Sequence, residues 1–297
     1  MNKVFILKPS EDWIVDRFVS EWYEDNPDIS TQNPSAADVI WLFADWCYSQ
    51  VDFEILKKKK VITTIHHVVK EKFDLNDFKV KDSITTVYHV PNKHTETFIK
   101  QFTNKQIKVI PYWANQKIWK TTDDKRTLRR KYGLPDEFLV GSFQRDTEGF
   151  DLKSPKLEKG PDLLADYLEY KNSLCISQKL HVVLAGWRRQ YIMKRLKDAN
   201  IGFSYFERPS HRVINELYQC IDIYPVSARC EGGPQSIIEC GLLNIPVISR
   251  DIGMASQLLT QESINDNLIL TKPSIPNVEH LKLPNGYRPY RDLIEAL

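Results

Sequence analysis

The feature that most constrains this chain is a repeated alternation of short, almost wholly apolar runs with longer amphipathic stretches. Val39-Ile40-Trp41-Leu42-Phe43 is one such run, and Leu139-Val140-Gly141-Ser142-Phe143 is a similar one. A strand with one wet face alternates apolar and polar residues. A continuous apolar run instead fits a strand covered on both faces, as in a parallel sheet. On this pattern strands are predicted at 3–7, 39–44, 61–65, 84–88 and 107–110. A second series is predicted at 138–143, 180–185, 203–206, 221–225, 246–249 and 267–270. Helices are predicted between many of them, at about 92–103, 160–171, 188–199, 210–219 and 234–243. A further helix opens at Ser10-Glu11-Asp12, a capping hydroxyl followed by two acids in the first turn, and carries the apolar stripe Trp13, Ile14, Phe18, Val19, Trp22 and Tyr23. Strands alternating with helices imply an α/β fold with a mostly parallel sheet.

The two series are separated by Pro111-Tyr112-Trp113-Ala114-Asn115 and a polar segment at 120–126. The boundary is placed there, giving two doubly wound, Rossmann-like domains, 1–115 and 116–297, facing each other across a cleft. Ligands of such folds bind beyond the carboxyl ends of the strands. That rule selects Lys8, Asp45, His66 with His67, His89 and Tyr112 with Trp113 in the first half. In the second half it selects Gln144 with Arg145, Gly186 with Trp187, Glu207 with Arg208, Ser227 to Glu231, and Arg250 with Asp251.

Composition excludes several classes. Forty-one basic against 39 acidic residues leave a net charge of +2, without the basic excess of a nucleic-acid binder. No apolar run approaches the length of a membrane span, and the four-residue run at the N-terminus does not make a signal peptide. The five cysteines are scattered and form no CxxC pair, which argues against a zinc site or a disulfide framework and suits a reducing cytoplasm. The lysine run at 57–60 has two readings: a solvated helix end, or a peripheral contact with an anionic membrane surface.

The segment 227–251 carries the chemistry. A strand ends near Pro225, then Glu231-Gly232-Gly233-Pro234 leads into a helix with proline at its start. The two glycines allow close approach of a ligand to the backbone. The amides of Gln235 and Ser236 open that helix, where the dipole favours an anion such as a diphosphate. Glu239 lies one turn beyond Gln235 on the same face, where a carboxylate can take the two hydroxyls of a ribose. Glu231 stands further out, near whatever the phosphate carries.

This block resembles the signature of the group 1 (family 4) retaining glycosyltransferases of the GT-B fold, two glutamates separated by seven residues within EGxP…E…GxPVI. The matching residues are Glu231-Gly232-Gly233-Pro234, Glu239, Asn244-Ile245-Pro246-Val247-Ile248 and Asp251-Ile252-Gly253-Met254. The resemblance extends over most of 105–260. It implies that Arg145, after the strand at 138–143, and Lys159, in Lys159-Gly160-Pro161, contact the donor diphosphate. It implies that Arg208 lies near the nucleobase, and that His66, after Val61-Ile62-Thr63-Thr64-Ile65, contacts the donor sugar. The chain departs from the family in having Lys8-Pro9-Ser10 in place of a Gly-Gly loop. Arg145 and Lys159 are also 14 residues apart, wider than the family's usual spacing, which leaves Lys153 or Lys156 as rivals for the phosphate.

The expectation is a retaining transfer of a sugar from a UDP- or GDP-sugar to an acceptor hydroxyl on a glycan, without metal or other cofactor. Glu231 would contact the sugar hydroxyls, while Arg145, Lys159 and the helix amides stabilise the leaving diphosphate. Asp45 would orient the acceptor hydroxyl or cap a helix, and Trp13, Trp46 and Trp113 would stack on acceptor rings or fill the core. The alternatives are a nucleotide-sugar epimerase on the same fold and a nucleotide-sugar binding module without transfer.

Overall fold

A computed structural model describes residues 2–11, 14–174 and 179–297. Trp13 therefore lies outside the described residues. The chain forms two compact units, Met1–Trp113 with Pro284–Leu297, and Ala114–Leu283.

The first unit holds five parallel strands: β1 (Val4–Ile6), β2 (Val39–Leu42), β3 (Lys60–Thr64), β4 (Val87–Val90) and β5 (Gln106–Val109). They lie side by side in chain order, with Ile40 opposite Val61 and Ile62 opposite Val87. Every residue of β2 is buried, as its continuous apolar run requires. Helices α1 (Ile14–Asp25), α2 (Phe53–Lys58), α3 (Leu75–Ile84) and α4 (Lys93–Ile99) provide most of the crossovers. The strand expected at 84–88 starts later, at Val87. Asp74 caps α3 through the amides of Asn76 and Asp77, and that helix runs on to Ile84 before the chain extends. The lysine run divides between the end of α2 and the start of β3, with Lys57 paired to Glu54 at 3.0 Å.

The second unit contains β6 (Phe138–Ser142), a two-stranded hairpin β7 (Thr147–Glu148) and β8 (Ser154–Pro155), then β9 (Leu180–Ala185), β10 (Gly202–Phe206), β11 (Tyr224–Val226) and β12 (Val247–Ser249). Its helices are α5 (Lys125–Lys131), α6 (Pro161–Leu174), α7 (Gln190–Asp198), α8 (His211–Cys220), α9 (Gln235–Leu242) and α10 (Ala255–Leu258). β10, β9 and β6 pair in parallel, as do β11 and β12. A bridge from Val140 to Ile223 joins the two groups, and the Gly141 amide donates to the Ile223 carbonyl at 3.0 Å. The succession is thus β10-β9-β6-β11-β12, and its direction of growth reverses between β6 and β11. That reversal is a topological switch point. It belongs to the second unit; the chain-order strands of the first have none. Residues 267–270, expected as a strand, form a 3₁₀ turn instead, because Asn267 turns back to accept from the Ile269 amide at 3.1 Å.

Helix α11 (Arg288–Glu295) ends the chain and packs with the first unit. The expected second domain, 116–297, is corrected here: residues 284–297 are held by aromatic side chains of the first unit. Tyr287 meets Trp113 at 5.0 Å between ring centres, Tyr290 stacks on Trp41 at 5.2 Å, and Trp22 meets Trp41 at 5.4 Å. Such pairs each add roughly 0.5–1.5 kcal/mol beyond the area they bury. Trp113 is 2% exposed and its indole donates to Glu21 at 2.7 Å, so it is core and offers no face to an acceptor. Among the described residues no helix is long and apolar enough to cross a membrane.

Candidate functional site

The ends of β6 and β11 lie side by side at the switch point, and the loops that leave them carry most of the expected residues. β11 ends at Val226, and the chain runs through 227–233 into α9, with Pro234 as the residue before its first turn. Two glycines elsewhere hold this loop in place. Gly160 has φ +60°, and a Cβ there would lie 2.0 Å from the Ser227 carbonyl oxygen. Gly253 has φ +52°, and a Cβ there would lie 2.8 Å from the Gly232 carbonyl and 3.0 Å from that of Glu231. Both need the left-handed region and the absence of a side chain. They explain the glycines of Lys159-Gly160 and Asp251-Ile252-Gly253. The amides of Arg229 and Cys230 donate to the Glu158 carbonyl at 2.8 and 3.2 Å, and Arg229 grips Asp162 with two hydrogen bonds of 2.7 and 2.5 Å. This carboxylate is held below its usual pKa, first by that hydrogen bond.

Lys159 is thereby delivered to Glu231, and its ammonium pairs with Oε1 of that carboxylate. Both side chains are half-buried. Arg145 leaves the end of β6 and donates through Nε to the Thr147 carbonyl at 3.2 Å. Lys156 belongs to the same group of cations. Its pKa is pushed down by burial and then by the charges of Arg145 and Lys159. Of the two rivals left open by the spacing, Lys156 therefore stands within reach of the cluster's field, while Lys153 is exposed on the hairpin.

Glu239 is buried on α9 and accepts from the Tyr218 hydroxyl at 2.8 Å. Gln235 and Ser236 open α9, and the Gln235 amide group donates to the Gly233 carbonyl at 3.3 Å. Arg208 follows β10 in the left-handed region, at φ +45°, and is exposed. Its guanidinium lies 4.8 Å from the centre of the Trp187 ring, which Arg145 and Arg188 also approach, at 5.3 and 4.5 Å.

A buried pair supports these loops and was not anticipated. Arg189, 0% exposed, pairs through Nε with Asp146 and donates to the Ala185 carbonyl at 2.6 Å and to Ser142 Oγ at 2.8 Å. It ties the end of β9 to the end of β6, one residue past Arg145. An arginine directly after Gly186-Trp187-Arg188 at a strand end was its only sequence signal. Tyr218 was missed for the same reason as any helix residue whose partner is remote in sequence.

The remaining expected residues lie in the first unit. His66 follows β3. Its Nε2 is 2.7 Å from the Phe43 carbonyl, which only accepts, so the proton sits on Nε2 and Nδ1 accepts from the Tyr112 hydroxyl. Burial lowers its pKa to about 4, leaving the ring neutral. Asp45 does not cap its helix; it lies in the first turn of the 3₁₀ segment Asp45–Gln50 and pairs with Lys81 at 2.6 Å. Trp46 is partly exposed and donates to Glu11 at 3.0 Å. Among the described residues no cluster of three His, Cys, Asp or Glu forms a metal-binding group.

No protein-family model matches the chain, and no curated protein matches it by sequence. Solved structures resemble it. HepE from Anabaena, in complex with UDP and glucose, has a TM-score of 0.69 at 14% identity, over 91% of this chain and 88% of that one. Sucrose-phosphate synthase from Thermosynechococcus elongatus has a TM-score of 0.58 at 17% identity, over 84% of this chain and 64% of that one. TarM has a TM-score of 0.58 at 16% identity, over 95% of this chain and 51% of that one. At such identities the likeness carries architecture alone: this chain has the α/β GT-B fold of glycosyltransferase structures.

Proposed function

We propose that the protein transfers a sugar from a nucleoside-diphosphate donor to an acceptor hydroxyl on a glycan, with retention at the anomeric carbon. The observation that carries this reading is the Lys159–Glu231 pair beside the start of α9, at the switch point of the second unit. The first-turn amides and the positive end of α9 suit a diphosphate. Arg145, Lys156 and Lys159 add positive charge where the leaving diphosphate gains negative charge as the glycosidic bond breaks. Glu231 accepts from hydroxyls of the transferred sugar. Glu239, steadied by Tyr218, takes the ribose hydroxyls, and Arg208 borders the base. The acceptor proton passes to the leaving phosphate, so no dedicated base is needed. Neutral His66 spends both nitrogens on Tyr112 and the Phe43 carbonyl, so it carries no proton in this reaction.

The Anabaena structures hold UDP and UDP-glucose, which makes UDP the first donor base to try and GDP the second. The test is calorimetric binding of UDP and GDP, followed by an acceptor screen that measures released nucleoside diphosphate. The expected results are binding of one nucleotide, acceptor-dependent release, loss of turnover in Glu231→Ala, and a raised donor KM in Glu239→Ala. Binding of neither nucleotide overturns the reading. Interconversion of the free nucleotide sugar without acceptor would make the protein an epimerase, and binding without release a binding module.

A further inference from the structure

Three arginines of the second unit crowd round one indole. Trp187 follows β9, Arg145 follows β6 and Arg208 follows β10, so the group sits on three neighbouring strand ends. The guanidinium carbons of Arg188, Arg208 and Arg145 lie 4.5, 4.8 and 5.3 Å from the centre of the Trp187 ring. Any two of them are therefore within about 10 Å of each other, one Debye length at 0.1 M salt, so their repulsion is only partly screened. Something must offset that repulsion.

It is not an ion pair. Among the described residues no carboxylate pairs with Arg145, Arg188 or Arg208. Their hydrogen bonds run to carbonyls, from Arg145 to Thr147 at 3.2 Å and from Arg188 to Gly149 at 3.4 Å. Neighbouring cations are treated differently: Lys159 holds Glu231, Arg189 holds Asp146, Arg229 holds Asp162 and Arg250 holds Asp266. What the three share is the ring, whose negative face attracts a cation without cancelling its charge. The backbone that carries the ring is fixed. The Arg188 carbonyl accepts from the amides of Asp146 and Thr147 at 3.2 and 3.1 Å, and the Gly186 carbonyl accepts from the Tyr205 hydroxyl at 3.0 Å. The ring itself stays 39% exposed, so its role is not to fill the core.

Positive charge left uncancelled acts on whatever anion approaches. A guanidinium presents a planar fork that suits phosphate oxygens, and holding it in place beforehand removes part of the entropy it would lose on binding. The attraction rises with the number of phosphates on the ligand. We propose that Trp187 is a positioning residue that makes this site select nucleotides with two phosphates over those with one, by gathering Arg145, Arg188 and Arg208 with their charges intact. The role rests on the proposed donor, a nucleoside diphosphate, and adds the residue that sets how much charge that donor must carry.

The test is calorimetry on the full chain with UDP, UMP and uridine, or with GDP, GMP and guanosine if GDP is the nucleotide that binds. The parent is compared with Trp187→Phe, which keeps an aromatic face, and with Trp187→Leu, which keeps only apolar bulk. Arg188→Gln removes one gathered charge without touching the ring. Thermal unfolding confirms that each variant is folded. The parent is expected to bind the diphosphate more tightly than the monophosphate. Trp187→Leu and Arg188→Gln are each expected to lower that preference about two- to five-fold, the scale of an exposed cation–π contact, and Trp187→Phe to keep most of it. Raised salt should narrow the preference more in the parent than in Trp187→Leu. An unchanged preference in folded Trp187→Leu or Arg188→Gln overturns the proposal. So does an equal loss in Trp187→Phe and Trp187→Leu, which would assign the effect to packing. Equal weakening of all three ligands in Trp187→Leu, the nucleoside included, would make the ring a platform for the base and also overturns it. If neither UDP nor GDP binds the parent, the donor reading falls and this role with it. If one binds and the preference survives in Trp187→Leu, this role alone falls.

Discussion

Lys159 and Glu231 hold each other beside the start of α9. In the proposed reaction the lysine belongs to the diphosphate and the glutamate to the sugar. The donor must therefore part the pair, and the free carboxylate competes with phosphate for the ammonium. Glu231→Gln is expected to bind UDP about two- to five-fold more tightly than the parent, the scale of a half-exposed ion pair, while losing transfer. Calorimetry and product release read the two effects separately. Weaker UDP binding in this variant would show that the pair orders the site rather than competing for it.

Gly160 is expected to tolerate no side chain. Alanine there combines a left-handed backbone with a contact onto the Ser227 carbonyl. Gly160→Ala should cost about 2 kcal/mol or more and displace Lys159, weakening nucleotide binding as well. Urea unfolding and UDP titration measure the two consequences. A variant with parental stability and affinity would rule out this role for the glycine.

The Arg189–Asp146 pair is buried on both sides. Arg189→Met strands the carboxylate and should destabilise by about 3–5 kcal/mol. The double variant Arg189→Met, Asp146→Leu removes the stranded charge and should recover much of that loss. Stability near that of the single variant would assign the cost to lost packing.

Acid should weaken the fold before the carboxylates titrate. Burial lowers the pKa of His89 to about 3 and that of His66 to about 4, both below the ordinary value near 6.5. The unfolded chain then binds more protons than the folded one, so stability falls as pH drops from 6.5 toward those values. For fully buried His89 the loss is about 2 kcal/mol between pH 6.5 and 5. The ring is satisfied only when neutral: Nε2 donates to the Ile110 carbonyl at 2.9 Å, and Nδ1 accepts from Thr64, whose oxygen takes the Trp41 indole proton at 2.8 Å. Urea midpoints at pH 7, 6 and 5 should fall more steeply in the parent than in His89→Asn. Equal slopes would place the acid sensitivity elsewhere.

Local patterns and tertiary pairings divide this protein between them. Near-continuous apolar runs marked β2, β6 and β9 because burial on both faces leaves little polar alternation, and Glu231-Gly232-Gly233-Pro234 marked the loop into α9 because each of its signals is a neighbour of the next. The run at 267–270 was misleading because the Asn267 side chain, not apolar content, set the backbone there.

Contacts distant in the chain were not legible. Lys159 meets Glu231, Arg189 meets Asp146, and the Gly160 conformation answers a carbonyl at Ser227, none of which any local period can report. The same holds for the engaged nitrogens of His66 and for the seat of α11 among the tryptophans. By itself the sequence determined the α/β class, most of the strands and the residues gathered around the loop into α9, because backbone sterics and hydrophobic periodicity act over a few residues. The tertiary structure alone decided the strand order and the partners of the charged groups, because hydrogen bonds and ion pairs form between whichever groups the folded chain brings together.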